Sequence, residues 1–231
     1  MRKDGKGRES VMSVDGFPGG VVVPFAGMRK DMTKTIVEEV RAYWEALRAG
    51  RPVPLRSEVD PRGIEGALDC SFILERVAPQ VVRFRVAGGH LNDLMGMEVR
   101  GMPLTAMLSP ASRAEMGAVI AAVFDGPAVA EVSLMAETGP GRPALGARLL
   151  ILPMRSDRGG IDRALGCMPT TGPIGLAPRR FTLVDVRRTD IVAGQPTPPL
   201  SLATPGFAEP MAGFLRPERG RAHLRLVKSD D

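Results

Sequence analysis

The sequence predicts an α+β domain: a five-stranded antiparallel sheet with helices laid across one face, preceded by an N-terminal amphipathic helix. Three observations carry this. An alternating strand runs into a double glycine at Phe84-Arg85-Val86-Ala87-Gly88-Gly89. Short broken helices follow, Leu91-Asn92-Asp93-Leu94-Met95-Gly96 and then the turn Val99-Arg100-Gly101-Met102-Pro103-Leu104. One long apolar-striped helix then hands over to further strands. Such a frame can enclose a small pocket on its helical side and present the other sheet face to a partner.

Composition agrees with one domain and tails. The chain has 231 residues, 44% of them hydrophobic, which is enough for a real core. Aromatics make up only 4%, so that core must rest on aliphatics and on the 13 methionines, which fill irregular gaps. The net charge of +5 is mostly arginine, spread over Arg179-Arg180, Arg187-Arg188, Arg216, Arg219, Arg221 and Arg225. Few aromatics interleave with these, and base stacking normally needs them, so nucleic acid is not the expected partner. Cys70 and Cys167 stand far apart without metal spacing, as two buried thiols in a reducing compartment would. Val21-Val22-Val23-Pro24-Phe25 is too short for a signal peptide. No run reaches the roughly 20 apolar residues of a membrane helix. A cytoplasmic protein without membrane insertion is expected.

The elements follow in order. Residues 1–32 read as a flexible leader broken at Gly16-Phe17-Pro18-Gly19-Gly20. A helix over 35–49 opens on the capping box Thr35-Ile36-Val37-Glu38 and stops at Gly50 and Pro52. Its stripe of Ile36, Val40, Tyr43, Trp44 and Leu47 must pack, either on its own domain or on a second copy. Homodimerisation through this helix is the specific expectation. The loop 51–68 is stiffened by Pro54 and Pro61, and Asp60 caps a turn at Pro61. Arg56 in it either ties the loop to a carbonyl, the favoured reading, or binds an anion. Residues 69–77 and 80–87 form a hairpin in which Val82, Phe84 and Val86 share the buried face. Ser109 caps a helix over 110–125 with Pro110 in its first position. Strands at 128–138 and 144–154 turn at Gly139-Pro140-Gly141, a fifth follows at 161–168, and a further one lies at 180–187. The domain therefore spans 33–190, and 191–231 is a proline- and arginine-rich tail.

The residues also resemble a known family. Trp44, Gly50-Arg51-Pro52-Val53-Pro54, Arg56, Asp60-Pro61 and Phe84-Arg85-Val86-Ala87-Gly88 are similar to a bacterial, stand-alone PAS-type family long catalogued as a domain of unknown function. Gly96, Gly101, Leu104, Leu152-Pro153-Met154 and Asp162-Arg163-Ala164-Leu165-Gly166 extend the resemblance over about 33–190. It implies a PAS sheet with helices on one face. It also implies a sensor or adaptor that regulates bacterial signalling through protein partners.

On that frame Phe72, Leu74, Phe84, Val86, Leu91, Leu94, Met95, Leu104, Met107, Leu149 and Ile151 line a ligand pocket or fill a core without ligand; both readings stand. The partner surface would be the outer sheet face together with the helix at 35–49. No cofactor is expected. Haem would need His90 as ligand, but a histidine at a strand-to-helix turn is ordinarily a solvent-facing cap. A flavin photosensor needs a reactive cysteine in a polar helix, and Cys70 and Cys167 lie in apolar strands. Redox sensing would need exposed thiols with lowered pKa. Enzyme signatures are absent, and so is any metal motif. Two alternatives remain. One is a small-molecule enzyme using Asp93 or Glu98 as base, and the other is an anion- or nucleic-acid-binding adaptor working through the basic tail.

Overall fold

The computed structural model describes residues 25–192 of the chain. Of the expected flexible leader, 1–32, residues up to 24 lie outside the described residues and 25–32 are helical instead; of the expected tail, 191–231, residues from 193 lie outside them. A first helix, α1, runs over Phe25–Arg48. It begins ten residues before Thr35, so the expected capping box sits inside the helix and does not start it. Ala49 and Gly50 end it with left-handed backbone, φ +46° and +79°, a turn that glycine makes without cost. Tight 3-10 turns then carry the chain over Pro61–Cys70. Asp60 caps them as expected, its carboxylate accepting the Arg62 N–H at 3.0 Å.

The sheet is antiparallel, in spatial order β2-β1-β5-β4-β3-β7. Its strands are β1 (Ser71–Ala78), β2 (Val81–Ala87), β3 (Ala128–Ala136), β4 (Gly146–Arg155), β5 (Ile161–Cys167), β6 (Thr170–Thr171) and β7 (Phe181–Asp190). Five of these, β2 through β3, make the expected sheet. The short β6 continues the line of β5 along β4 after a break at Met168 and Pro169. The further strand, β7, pairs along the whole of β3 and adds a sixth position at that edge.

Two helices lie across the inner face: α2 (Gly89–Met95) and α3 (Arg113–Asp125). The stripe of α3, Met116, Val119, Ile120, Val123 and Phe124, is buried there as its spacing requires. Its start differs from expectation. Pro110–Ser112 forms a 3-10 turn first, and Ser109 makes no cap. The Ser109 hydroxyl instead reaches Thr182 Oγ1 at 3.1 Å, and Ser112 Oγ accepts the Leu183 N–H at 3.1 Å. Both serines serve the junction with β7, a partner no local pattern reveals.

The outer face is covered as well. α1 lies on it, and Val37, Val40 and Trp44 join Val129, Leu150, Leu152, Met154, Leu165 and Cys167 in a second core. Trp44 is fully buried, its indole N–H donating to the Pro153 carbonyl at 2.9 Å. Beside it a buried ion pair crosses from helix to sheet. Arg41 Nη2 lies 3.5 Å from Glu131 Oε2, and Arg148 Nη1 donates to Glu131 Oε1 at 3.1 Å. Burial, against the pull of Glu131, holds the Arg41 guanidinium below its ordinary pKa. Breaking such a pair strands a buried charge, which fixes where the helix can sit.

Trp44 is therefore core of this domain. Trp44→Ala is expected to lower unfolding stability by about 3–5 kcal/mol, by loss of buried area and the cavity left behind. Urea denaturation followed by circular dichroism measures it.

Candidate functional site

The inner face brings most of the expected pocket residues together. Phe72, Leu74, Phe84, Leu91, Leu94, Met95, Leu104, Met107, Leu149 and Ile151 belong to one buried cluster, with none more than 5% exposed. Phe72 and Phe84 meet edge to face, centroids 5.5 Å apart. Side chains of the sheet and of α2 and α3 interdigitate across this space.

Val86 is the exception. Along β1 and β2, Ile73 faces Val86 but Leu74 faces Phe84, so Arg85 is the extra residue of a β-bulge. The bulge breaks the alternation that starts at Val82 and Phe84. Val86 turns to the outer face, 53% exposed, and does not line the inner space. Arg85 and Arg163 meet there on Glu75, with 2.9 Å contacts to its carboxylate. The hydrogen bond from Arg85 first, and the charge of Arg163 with it, hold the Glu75 carboxyl below the usual range.

The turned valine opens a groove. α1 covers the outer face over β3, β4 and β5 but leaves β1 and β2 clear of it. There a cleft of about 420 Å³ runs between the sheet and the turns of residues 56–68. Ile73, Val86 and Leu165 form its floor, and Val59, Ile64 and Leu68 its wall. Leu68 is 46% exposed, large for a leucine in a folded domain. Arg56 lies at the rim, half-buried, and its guanidinium makes no hydrogen bond or ion pair among the described residues. The loop is tied by a different arginine. Arg51 Nη2 donates to both oxygens of Glu58 at 2.9 Å and to the Leu47 carbonyl at 2.6 Å. Tyr43 adds a second tie, its hydroxyl donating to the Asp60 carbonyl at 3.0 Å and accepting the Asp60 N–H at 2.7 Å. Arg51 and Glu58 stand in the sequence as opposite charges around Pro52 and Pro54, and that pair is the signal for this tie. Leu68, four residues after Ile64, was missed because the stretch is too short for periodicity.

The helix stripe takes its place inside the chain. Val40 and Trp44 are buried against the sheet, while Ile36, Tyr43 and Leu47 are half-buried at its margins. The buried part of the stripe that a second copy was expected to meet is taken up by the chain's own β4 and β5.

The remaining candidates fall elsewhere. His90 is the second residue of α2 and is no solvent-facing cap. It is half-buried, with Nε2 3.0 Å from Thr170 Oγ1. Burial holds its pKa below the ordinary histidine value, although Asp69 and Asp93 pull the other way, so the ring is neutral at pH 7. Gly88 ahead of it packs so tightly that a Cβ would strike the carbonyls of Asp69 and Leu68. Cys70 and Cys167 are both buried free thiols. Burial pushes Cys70 up to about 11 and Cys167 well above the ordinary thiol value. Asp93 and Glu98 are exposed. Among the described residues no group of His, Cys, Asp and Glu could hold a metal ion, and no helix is long and apolar enough to cross a membrane.

A family model described as a PAS domain matches residues 32–169. No curated protein matches the chain. Two solved structures are similar to it. One is the light-state structure of the blue-light photoreceptor Aureochrome1 LOV, 13% identical, with a TM-score of 0.35 over 48% of this chain and 88% of that one. The other is an RNA-binding light-oxygen-voltage receptor, 16% identical, with a TM-score of 0.35 over 68% of this chain. The chain spans 36% of that receptor's length.

Two measurements check this geometry. With both thiols buried and protonated, a chromogenic disulfide reagent at pH 8 should leave the folded protein unreacted over minutes and titrate both cysteines once it is unfolded. Glu75 has a folded pKa below its unfolded value. The stability it contributes is complete above the ordinary carboxylate value of about 4.3 and is lost as pH falls through the depressed one. The urea midpoint should thus fall on acidification through that window, and Glu75→Gln should make the fall smaller.

Proposed function

The chain belongs to the PAS domain family, and from that premise we propose that it is a bacterial regulatory module, a sensor or adaptor that acts by protein contact through the groove beside β1 and β2. The observation that carries this reading is the pairing of exposed Val86 and Leu68 with an unpaired Arg56 on a stretch of outer sheet that α1 leaves open. An apolar floor with a cation at its rim is the make-up of a contact surface, with the anchor buried and the charge setting orientation. The inner cluster, on this reading, is a filled core and not a ligand chamber, and no haem or flavin is held. His90 is engaged with Thr170, and neither cysteine is a reactive thiolate. The protein is non-enzymatic. Asp93 and Glu98, the acids the enzyme reading would need as bases, are exposed. It works in the cytoplasm. A homodimer would form through the groove and not through the stripe of α1.

The test is site-specific photocrosslinking in living cells. A photoreactive residue at Val86 is expected to give one discrete protein adduct, lost when Arg56 is changed to Glu. One at Glu115, exposed on α3, should give none. Mass spectrometry of the adduct distinguishes a second copy from another signalling protein. Absence of any adduct at Val86, or equal adducts at both positions, would overturn the reading.

A further inference from the structure

A second cleft lies at the other end of α2 from that groove, and its chemistry is different. It has a volume of about 510 Å³, within the range of small-molecule sites. It opens between the end of α2, the turn around Pro103 and the segment Ala177–Arg180 that leads into β7. Met95, Met97 and Met102 belong to its apolar lining together with Pro103 and Pro178. Methionine is flexible and polarisable, suited to an aliphatic chain of variable shape. Two arginines, Arg113 and Arg180, line the same cleft, and no acidic residue does. Arg113 is exposed at the first residue of α3 and makes no hydrogen bond or ion pair among the described residues. Arg180 donates Nη1 to the Ala106 carbonyl at 3.0 Å, which orients the guanidinium and leaves its other donors available.

The cleft is also held rigid. Arg179, fully buried, gives its guanidinium to the carbonyls of Ile174, Glu137 and Pro143 and pairs with no carboxylate. Its backbone N–H donates to the Leu94 carbonyl at 2.8 Å. These bonds lock the segment carrying Pro178 to α2 and to the β3–β4 turn, so the wall exists before anything binds.

We propose that this cleft binds a small apolar carboxylate, its chain on Met95, Met97 and Met102 and its head group between Arg113 and Arg180. A carboxylate is planar and takes paired hydrogen bonds from guanidinium groups, whereas an uncharged chain would give no acceptor to Arg113 or to the remaining donors of Arg180. The proposal stands apart from the outer-face contact and does not need it.

The test uses the full chain with ¹³C-labelled methionine methyl groups, titrated with octanoate below its micellar concentration. Saturable shifts are expected at Met95, Met97 and Met102, with none at Met135, which is exposed on β3. Octanol, the uncharged twin, should bind at least about tenfold more weakly, and Arg113→Gln should weaken octanoate roughly tenfold, the value of a charge-assisted hydrogen bond. Arg180→Lys keeps the charge but loses the fork, and should weaken it as well. Equal binding of octanol, shifts spread to Met135, no saturation, or displacement by inorganic phosphate without octanoate binding would each overturn the proposal. If a variant fails to fold, the comparison of octanoate with octanol on the unaltered chain decides alone.

Discussion

The arrangement of this domain depends on where α1 is fixed. Trp44 reaches through the outer layer to a carbonyl of β4, and Arg41 meets Glu131 of β3 nearby. Neither contact tolerates a shift of the helix. An indole N–H without a partner and a buried guanidinium without a carboxylate are both costly in a low-dielectric layer. Once the helix is held there, the central stretches of β3, β4 and β5 are covered on both faces. Their sequences are accordingly apolar on both sides, as in Leu149, Leu150, Ile151 and Leu152, all fully buried. The β1 and β2 end of the sheet keeps a free outer face beside the turns of residues 56–68, and Met135 and Val184 are exposed at the opposite edge.

That end is shaped by a single inserted residue. Without the bulge at Arg85, Val86 would follow Phe84 into the inner core and a charged side chain would stand in its place outside. With it, Arg85 turns to Glu75 and Val86 faces solvent between Ile73 and the turns of residues 56–68. The groove therefore follows from register as much as from composition. The Arg51–Glu58 and Tyr43–Asp60 contacts then hold the far wall at a set distance from the floor.

Much of the architecture was legible in the sequence because it rests on local signals. Alternation in the strands, the stripe of α3, the cap at Asp60 and the order of elements all act within a few residues. The inner cluster was legible for the same reason. What was hidden depends on distant partners. The early start of α1 follows a segment with weak periodicity, and Thr35 inside it mimicked a cap. The true partner of the Trp44 stripe is β4, more than a hundred residues away. Val86 was misplaced because a bulge has no signature in the residues Arg83, Phe84 and Arg85, which alternate cleanly on paper. Ser109 looked like a cap because its neighbours are Pro110 and a helix, while its actual contact is Thr182.

The two clefts meet, mechanically, in α2. This helix of seven residues starts after Gly88, which lines the outer groove, and ends at Met95 and Gly96, which line the arginine-bearing cleft. It cannot flex in between. Leu91 and Leu94 are fully buried, and its carbonyl end is bonded to Arg179. Its first turn is equally constrained, since Gly88 sits against the Asp69 carbonyl with no room for a Cβ and His90 is tied to Thr170. A rigid element with both ends in contact moves as a body or not at all. Any occupant that displaced Met95 would therefore act on the contact of Gly88 with Asp69, at the turns that carry Leu68 and bound the groove. The tightness of that contact, and not its distance from the cleft, is what would set the strength of such coupling.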